Sequence, residues 1–518
     1  MARAQKASIM TRRTFLKGMA AGGAGATVLW RHPSSLAGAA QTGGALRVQQ
    51  VADIVNINPY LSRAAVDRVL MDTIFGGLVA YDQQMRPIPE LAESWTIADD
   101  RTYVFKLRRG VTFHNGRAVT PEDVKWSIEK IYEIGNKGQW ANYIAGITKI
   151  DLVDASTVKL TLEKPNAVLL SGLPMAAILP RESYDTIDTN PVGLGPYRFV
   201  ERIPGQYVKV AKYEKYWDQS VNYPDQITFS FATEESTQVA NLQSGIVDMH
   251  GWLPISRVPE LRNNPKFSLH DTGEGTLGWL GVLLNTAKAP LDNKKLRQAI
   301  AHGINKEVIH KAVFAGLGAP DNGYLPKGHW AYVPDSELGG YRYDPARAKQ
   351  LLTEAGHANG VELTWTIGTL LPEFTRYAEL AQHDLAKVGI RVKLRSIEWA
   401  TYVQEVTGQR NFELASDGFG GRADPDLQLG VAFGPNSSGN KMRYIHPRVT
   451  ELFELGRATT NQARRKQYYT ELQKFLMDDV PAIRLNSFPT VWGASPKVSG
   501  IQVTAEGRIR WHKLTVSV

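Results

Sequence analysis

The stretch LAESWTIADDRTYVFKLRRGVTFHNGRAVTPEDVKWSIEK, residues 91–130, contains a strand, a turn and a helix in direct succession. The strand has the two-residue period of a half-buried strand, with apolar side chains at Tyr103, Phe105 and Leu107. The pair Asn115-Gly116 is a strong turn signal. Thr120 then suits the N-cap of a helix and Pro121 its first turn. This stretch therefore predicts mixed α/β structure.

The alternation of helices and strands continues along the chain. Asp292 begins one helical segment, Asn305 caps the next, and Asp344 caps a third. A helix over 372–388 is followed at once by IRVKLRSI, residues 390–397, whose alternating pattern is typical of a strand. Interleaved helices and strands of this kind predict an α/β protein.

Length and composition limit the architecture and the chemistry. A chain of 518 residues is too long for one compact core and fits two or three domains. Its 43% hydrophobic and 21% charged residues are typical of a soluble globular protein. Cysteine is absent, which excludes disulfides, thiolate metal sites, a cysteine nucleophile and a lipid-bearing N-terminal cysteine.

The first 39 residues have the features of an export signal. TRRTFLK at 11–17 places twin arginines before an apolar run at 18–29, and AGA at 37–39 offers a cleavage site. The apolar run has 12 residues, too few to span a bilayer. The pattern predicts a twin-arginine signal peptide over 1–39 and a soluble periplasmic protein without a lipid anchor. The alternative is a disordered basic tail.

Much of the positive charge lies in this leader. The whole chain has a net charge of +9, and removing the six basic residues of 1–39 leaves 54 basic and 51 acidic side chains, a net charge of +3. A nearly balanced protein of this kind does not favour nucleic acid as a partner.

Motifs for bond chemistry are scarce. GEGTLG at 273–278 matches G-x-G-x-x-G, but an apolar strand-like run follows it where dinucleotide binding needs a helix N-terminus. The sequence contains no P-loop, no G-x-S-x-G and no H-E-x-x-H, and its 11 histidines are scattered. By absence, this inventory predicts a non-enzyme with no catalytic residues, no cofactor and no metal site.

Five ordered blocks together resemble the large solute-binding proteins of ABC importers, family 5, which includes peptide, nickel and opine binders. The blocks cover nearly all of the chain after the leader and lie at residues 91–130, 193–219, 232–249, 285–309 and 343–356. Five blocks in the same order are far more specific than any single motif. The resemblance implies capture of a small peptide or amino-acid-derived solute and its delivery to permease subunits in the inner membrane.

The resemblance also implies the fold: an α/β, periplasmic-binding-protein-like, type II clamp of two lobes with an additional third domain. Residues 40–58, 188–278 and 490–518 would form lobe I, 59–187 the extra domain and 279–489 lobe II. The chain would cross between the lobes near GEGTLG and near RLNSFPTVWG at 484–493. Ligand would bind in the cleft of a monomer, and closure would bury it.

The segment GFGGRADPD, residues 418–426, departs from the pattern of the family's peptide binders. In those proteins an aspartate three positions before the acid-proline pair takes the peptide's α-amino group. Here Asp424 precedes the proline and Gly421 stands at the aspartate position. We expect Arg422 to face the cleft and hold a ligand carboxylate through two parallel hydrogen bonds. The alternative is that Arg422 bonds Asp424 or a backbone carbonyl and shapes the loop.

Other aromatic and polar residues are weaker candidates for the pocket wall. Phe419 and Trp279 are candidates for stacking on ligand, and Trp252 follows a predicted strand end. The remaining candidates, each with core packing as the alternative, are Trp399, Tyr402 and Asn56.

Alternatives to peptide capture stay open on the sequence. A nickel-complex binder on the same fold is disfavoured because no histidine cluster is visible. A receptor or chaperone-like role would use a signalling partner in place of a permease. An exported hydrolase or oxidoreductase would reveal itself by turnover or by cofactor absorbance.

Overall fold

The structure is a computed structural model that describes residues 43–62, 65–135, 140–220 and 223–517. The predicted signal peptide, residues 1–39, lies outside these ranges. Within them, no helix combines the length and the apolar character needed to cross a membrane.

A mixed seven-stranded sheet forms the centre of what we call the first lobe. Ala45–Gln50 lies in the interior of this sheet and pairs in parallel with Gln226–Phe231 and with Met249–His250. The other neighbouring strands are antiparallel. From edge to edge, the strands are Ser268–Asp271, Val491–Ala494, Met249–His250, Ala45–Gln50, Gln226–Phe231, Tyr207–Lys212 and Tyr197–Ile203.

A five-stranded sheet forms the centre of the second lobe. Val361–Gly368 pairs in parallel with Ile390–Ile397 and Leu414–Phe419, whereas Trp279–Leu284 is antiparallel to both of its neighbours. The order is Ile390–Ile397, Val361–Gly368, Leu414–Phe419, Trp279–Leu284 and Ala482–Ser487. Trp279–Leu284 is buried along its whole length, as expected for a central strand that is covered on both faces.

The extra domain is built on a four-stranded antiparallel sheet. Its strands, in order, are Ala92–Asp99, Thr102–Leu107, Thr157–Leu162 and Ile147–Asp154. Phe105 of this sheet belongs to the same hydrophobic cluster as Val48 and Phe229 of the seven-stranded sheet. The extra domain and the first lobe therefore share one core.

Helices cover the three sheets and connect their strands. The α-helices are Arg68–Thr73, Pro121–Ile134, Leu169–Gly172, Glu235–Gln243, Val258–Arg262, Lys294–Gly303, Lys306–Phe314, Asp335–Leu338, Pro345–Glu354, Pro372–Lys387, Trp399–Tyr402, Pro425–Phe433, Pro447–Arg457 and Gln462–Asp479. Two short strand pairs complete the description, Val79–Tyr81 with Pro87–Pro89 and Val498–Ser499 with Thr515–Val516.

The local predictions for residues 91–130 are confirmed. Thr102–Leu107 is a strand with its alternate side chains buried, and Gly116 adopts the positive φ of 85° that the Asn-Gly turn requires. Thr120 caps the helix Pro121–Ile134 in a capping box with Asp123. The caps predicted at Asn305 and Asp344 also accept hydrogen bonds from their helices.

The chain passes from the first to the second lobe between Ser268–Asp271 and Trp279–Leu284, and it returns between Ala482–Ser487 and Val491–Ala494. The GEGTLG glycines lie in the first of these crossings, where Gly273–Gly275 forms a single 3₁₀ turn ahead of a strand. The individual boundaries of the three domains stay predictions.

Candidate functional site

A cavity of about 100 Å³ lies beside the two crossings, and we call it the cleft cavity. The first lobe, the short helix Arg68–Thr73 and the glycine-rich segment after Leu414–Phe419 all contribute to its wall. Its lining includes Gln50, Arg68, Trp252, Gly421, Arg508 and Trp511. A site that is enclosed by both lobes is suited to a ligand that holds them together.

Ion pairs between distant parts of the chain line this cavity. Arg68 Nη1 lies 2.9 Å from Glu506 Oε2, and Arg508 Nη1 lies 3.5 Å from the same oxygen. Arg508 also donates two hydrogen bonds to Asp72, one of them from Nε to Oδ2 at 2.9 Å and the other from Nη2 to Oδ1. Both carboxylates that line the cavity are thus engaged by arginine.

Arg422 adds a third guanidinium to this cluster without a carboxylate of its own. Its Nε donates to the Tyr143 hydroxyl at 2.5 Å, and its Nη1 donates to the Gly421 carbonyl at 2.6 Å. No ion pair joins Arg422 to an acid anywhere in the described part of the chain. The cluster contains three guanidinium groups and two carboxylates, those of Asp72 and Glu506. One positive charge is therefore uncompensated.

The charged state of these arginines follows from their surroundings. Burial would lower the pKa of Arg422, but Tyr143 and Glu506 outweigh it and the pKa is raised. Burial lowers the pKa of Arg68, which Glu506 opposes and the Arg422 cation reinforces. Burial and the nearby Arg68 lower the pKa of Arg508 to about 9, so it stays protonated at neutral pH. The paired carboxylate of Asp72 favours this charged form further.

Two further donors in the wall have no hydrogen-bond partner among the described residues. Gln50 Nε2 and Trp511 Nε1 are buried and unpaired, and the side chains that carry them line the cleft cavity. Gln50 is 4% exposed and Trp511 is 1% exposed. Buried polar groups are almost always hydrogen-bonded, so these two donors are available to an acceptor in the cavity, whether water or ligand.

Both lobes and the extra domain meet around Arg422. The Tyr143 hydroxyl that accepts from Arg422 belongs to the extra domain. Leu277 N donates to the Ala505 carbonyl at 2.9 Å, and Ala167 N donates to the Arg457 carbonyl at 3.0 Å. These hydrogen bonds link the second lobe to the extra domain and to the C-terminal segment of the first lobe.

Asp424, which the sequence predicts as a site residue, has a structural role in the fold. Its two oxygens accept from Arg465 at 2.7 and 2.8 Å, and Oδ1 also accepts from the backbone of Asp426 at the start of the helix Pro425–Phe433. Asp424 is 3% exposed and does not line the cleft cavity. Its carboxylate is therefore fully used in holding the loop to Arg465, and Arg422 is not its partner.

Four aromatic candidates lie away from the cavity, within the second lobe. Trp279 is 1% exposed and packs on Phe419 with ring centres 4.9 Å apart. Tyr402 is fully buried and donates to the Ser416 carbonyl at 2.7 Å. Trp399 stacks on Tyr402 with ring centres 5.0 Å apart. These contacts give all four side chains a packing role.

The last three candidates differ in their positions. Asn56 is half-buried, its backbone N–H donates to Asp67 Oδ1 at 3.2 Å, and it does not line the cavity. Gly421 and Trp252 do line it. Trp252 has a φ of 58°, which is costly for a bulky residue and is a feature that concentrates at binding sites.

Sequence reasoning missed most of the charged wall. Arg68 and Asp72 come from a short helix, whereas Glu506, Arg508 and Trp511 come from TAEGRIRW at 504–511 near the chain end. An acid and two arginines beside a tryptophan are a recognisable signal. The sequence gives no signal that these residues pair with others more than 430 positions earlier.

The fold and the enclosed cavity between its lobes define a ligand-binding clamp. Comparison with known proteins agrees: residues 86–440 match the bacterial extracellular solute-binding proteins, family 5. The chain belongs to this family and is the substrate-binding component of an ABC importer.

Individual relatives differ in the ligand that their names give. Heme-binding protein A of Haemophilus influenzae is 30% identical over 82% of this chain and 84% of its own length. The glutathione-binding protein of Pectobacterium atrosepticum is 29% identical over 86% of this chain and 89% of its own. The structure of the periplasmic binding protein DppA from Helicobacter pylori with the peptide STSA superposes with a TM-score of 0.78, at 26% identity over 92% of this chain and 99% of that one.

The same comparisons bear on enzyme activity and metal binding. The family and the structural neighbours are substrate-binding proteins, a role that requires no bond chemistry. Over the ranges that the structure covers, no three His, Asp or Glu side chains come together as a potential metal site.

Proposed function

We propose that this protein captures a small peptide or amino-acid-derived solute that bears a free carboxylate, and that Arg422 binds this carboxylate in the cleft. The observation that carries the proposal is the guanidinium of Arg422, which follows the lining residues Gly420 and Gly421, lies close to Arg68 and Glu506 of the cavity wall, and has no ion-pair partner in the described ranges. A guanidinium presents a planar fork that matches a carboxylate.

The surroundings of Arg422 support an anion at this place. The cluster of three arginines and two carboxylates carries one surplus positive charge. The unpaired donors of Gln50 and Trp511 add N–H groups to the same wall. A bound carboxylate would satisfy both the charge and the donors, whereas a bound ammonium group would satisfy neither.

The same wall disfavours a specific contact to a ligand amine. The carboxylates of Asp72 and Glu506 are both engaged by arginine, and Gly421 stands where the resemblance leads us to expect an aspartate. We therefore infer that blocking the amine of a peptide leaves its affinity largely unchanged.

The ligands named for the relatives agree with this chemistry. Heme, glutathione and a tetrapeptide differ in size and shape, yet each carries a free carboxylate. Closure of the clamp would follow from contacts that the ligand makes with both lobes at once, since a ligand shifts an equilibrium only by its differential affinity for the two states.

Export and assembly complete the proposal. We infer that the protein reaches the periplasm by the twin-arginine route and works there as a monomer. The support is the order of twin arginines, apolar run and small-residue site within residues 1–39. Replacing Arg12 and Arg13 by lysine should leave the protein in the cytoplasm of the expressing cell, as measured by fractionation, and periplasmic protein after this change would refute the route.

Thermal unfolding with matched peptides tests the ligand proposal. Trialanine and N-acetyl-trialanine should raise the melting temperature of the purified protein, and trialanine amide should not, because amidation removes the carboxylate. A ligand at 100 times its Kd adds about 2.7 kcal/mol to the free energy of unfolding, which is readily measured. An equal response to the amide would refute the proposal.

The Arg422→Ala variant tests the residue directly. We expect loss of the response to trialanine with a decrease of no more than about 2 °C in the melting temperature of the ligand-free protein. Arg391→Ala is the matched control, because Arg391 lies on an edge strand with its side chain 62% exposed. A large loss of ligand-free stability with intact affinity would instead assign Arg422 a loop-shaping role.

A further inference from the structure

A second cavity, of about 120 Å³, lies between the extra domain and the C-terminal segment of the first lobe. We call it the inner cavity. Much of its wall is apolar and includes Met71, Phe75, Met85, Trp140 and Met175. Methionine side chains are flexible and polarizable, and they adapt to apolar groups of different shape.

The inner cavity adjoins the cleft cavity. Asp72, Arg508 and Ile509 line both, so the ion pair of Asp72 with Arg508 stands at the boundary between them. The short helix Arg68–Thr73 serves both sides: Arg68 lines the cleft cavity and Met71 lines the inner one. A substituent next to a carboxylate held in the cleft is therefore adjacent to the inner cavity.

The polar groups of the inner cavity are already engaged. Asp72 is paired with Arg508, and the Glu90 carboxyl accepts from the Tyr216 hydroxyl at 2.9 Å. Arg510 Nη1 donates to the Tyr81 carbonyl at 3.3 Å, and burial lowers the pKa of His512 to about 3, which keeps this ring neutral. Asp72 and Arg508 thus compensate each other's charge, and the Arg510 guanidinium, which forms no ion pair in the described ranges, is held by the Tyr81 carbonyl.

We propose that the inner cavity receives an apolar side chain of the ligand, at the residue that carries the free carboxylate. This inference rests on the proposed function and specifies its substrate class: peptides or acylated amino acids with an aliphatic C-terminal side chain. An engineered apolar cavity of about 150 Å³ binds benzene, so the inner cavity fits an aliphatic group of about four to six carbons.

Calorimetric titration of the wild-type protein with Ala-Ala-Gly, Ala-Ala-Ala and Ala-Ala-Leu tests this inference. Affinity should rise about fourfold for each added carbon, the gain expected from burying one CH₂ group. Ala-Ala-Lys should lose most of that gain. Equal affinity across the series would overturn the inner-cavity inference while leaving the carboxylate proposal intact. No binding by any free acid would overturn the proposed function and this inference with it.

Two variants locate the effect in the inner cavity. Ala80 lines it on the strand Val79–Tyr81 and is half-buried, so Ala80→Leu fills the space. This variant should bind Ala-Ala-Leu no better than Ala-Ala-Gly, with unchanged affinity for Ala-Ala-Gly. Ala211→Leu is the matched control, since Ala211 is a half-buried strand residue that lines neither cavity. An Ala80→Leu protein that keeps the wild-type gradient would overturn the inference, and the wild-type series decides it if this variant misfolds.

Discussion

Arg422 and Asp424 stand two positions apart and have opposite environments. Asp424 is held by two hydrogen bonds from Arg465 and caps a helix, whereas Arg422 meets a hydroxyl and a carbonyl but no acid in the described ranges. A side chain whose charge is already compensated gains little from a ligand. The charge of Arg422 is not compensated, so Arg422 is the better candidate for binding an anionic ligand. The proposal therefore rests on Arg422.

The close packing around Gly421 explains why an aspartate at this position would not restore the amine-binding pattern of the family's peptide binders. A Cβ at this position would lie 2.4 Å from Leu277 Cβ and 3.1 Å from Gly278 N. Gly421→Asp should lower the free energy of unfolding by about 1–3 kcal/mol through overpacking, measured by denaturant titration, and should create no affinity for trialanine amide. Gly420→Ala is the control, because its nearest neighbour, Arg422 Nη1, would be 3.4 Å away. A stable Gly421→Asp protein that binds the amide would contradict this explanation.

At the scale of the elements, local sequence patterns predict helix caps and strands. They do not predict contacts between distant parts of the chain. Thr120, Asn305 and Asp344 were predicted as helix caps, and all three are. Caps and alternation are local features, so they are readable without a structure. The cleft wall instead depends on contacts such as Asp72 with Arg508, which join residues 436 positions apart. No local pattern specifies such a pairing.

Burial also limited the prediction of aromatic site residues. Trp279, Phe419 and Tyr402 were plausible stacking partners by residue type, yet each is buried within the second lobe. An aromatic residue has the same appearance in sequence whether it faces a core or a pocket. The pairing of Trp279–Leu284 with Leu414–Phe419 decides whether these aromatic residues face the core or a pocket.

The helix Pro425–Phe433 provides a test at the same scale. Asp424→Asn leaves the buried guanidinium of Arg465, whose side chain is 7% exposed, without its bidentate carboxylate. We expect the free energy of unfolding to fall by about 3–5 kcal/mol in denaturant titrations, with ligand affinity of the folded protein retained. Glu471→Gln, which breaks a solvent-exposed pair on the helix that carries Arg465, should cost about 1 kcal/mol or less. Unchanged stability with lost affinity would make Asp424 a ligand contact.

At the scale of the whole molecule, two lobes, an extra domain and two chain crossings produce a clamp with a charged cavity at its centre. Three parts of the chain meet here: Arg422 belongs to the second lobe, Tyr143 and Arg68 to the extra domain, and Glu506 to the first lobe. A ligand carboxylate at this point would touch each part at once. Closure and recognition then depend on the same contacts.

Native mass spectrometry of the purified protein, after incubation with a small-molecule extract of the expressing cells, tests this account most directly. The account predicts a single adduct of one small molecule per chain that carries a free carboxylate on release, and that Arg422→Ala does not retain. An adduct without a carboxylate, or one that Arg422→Ala retains equally well, would contradict it.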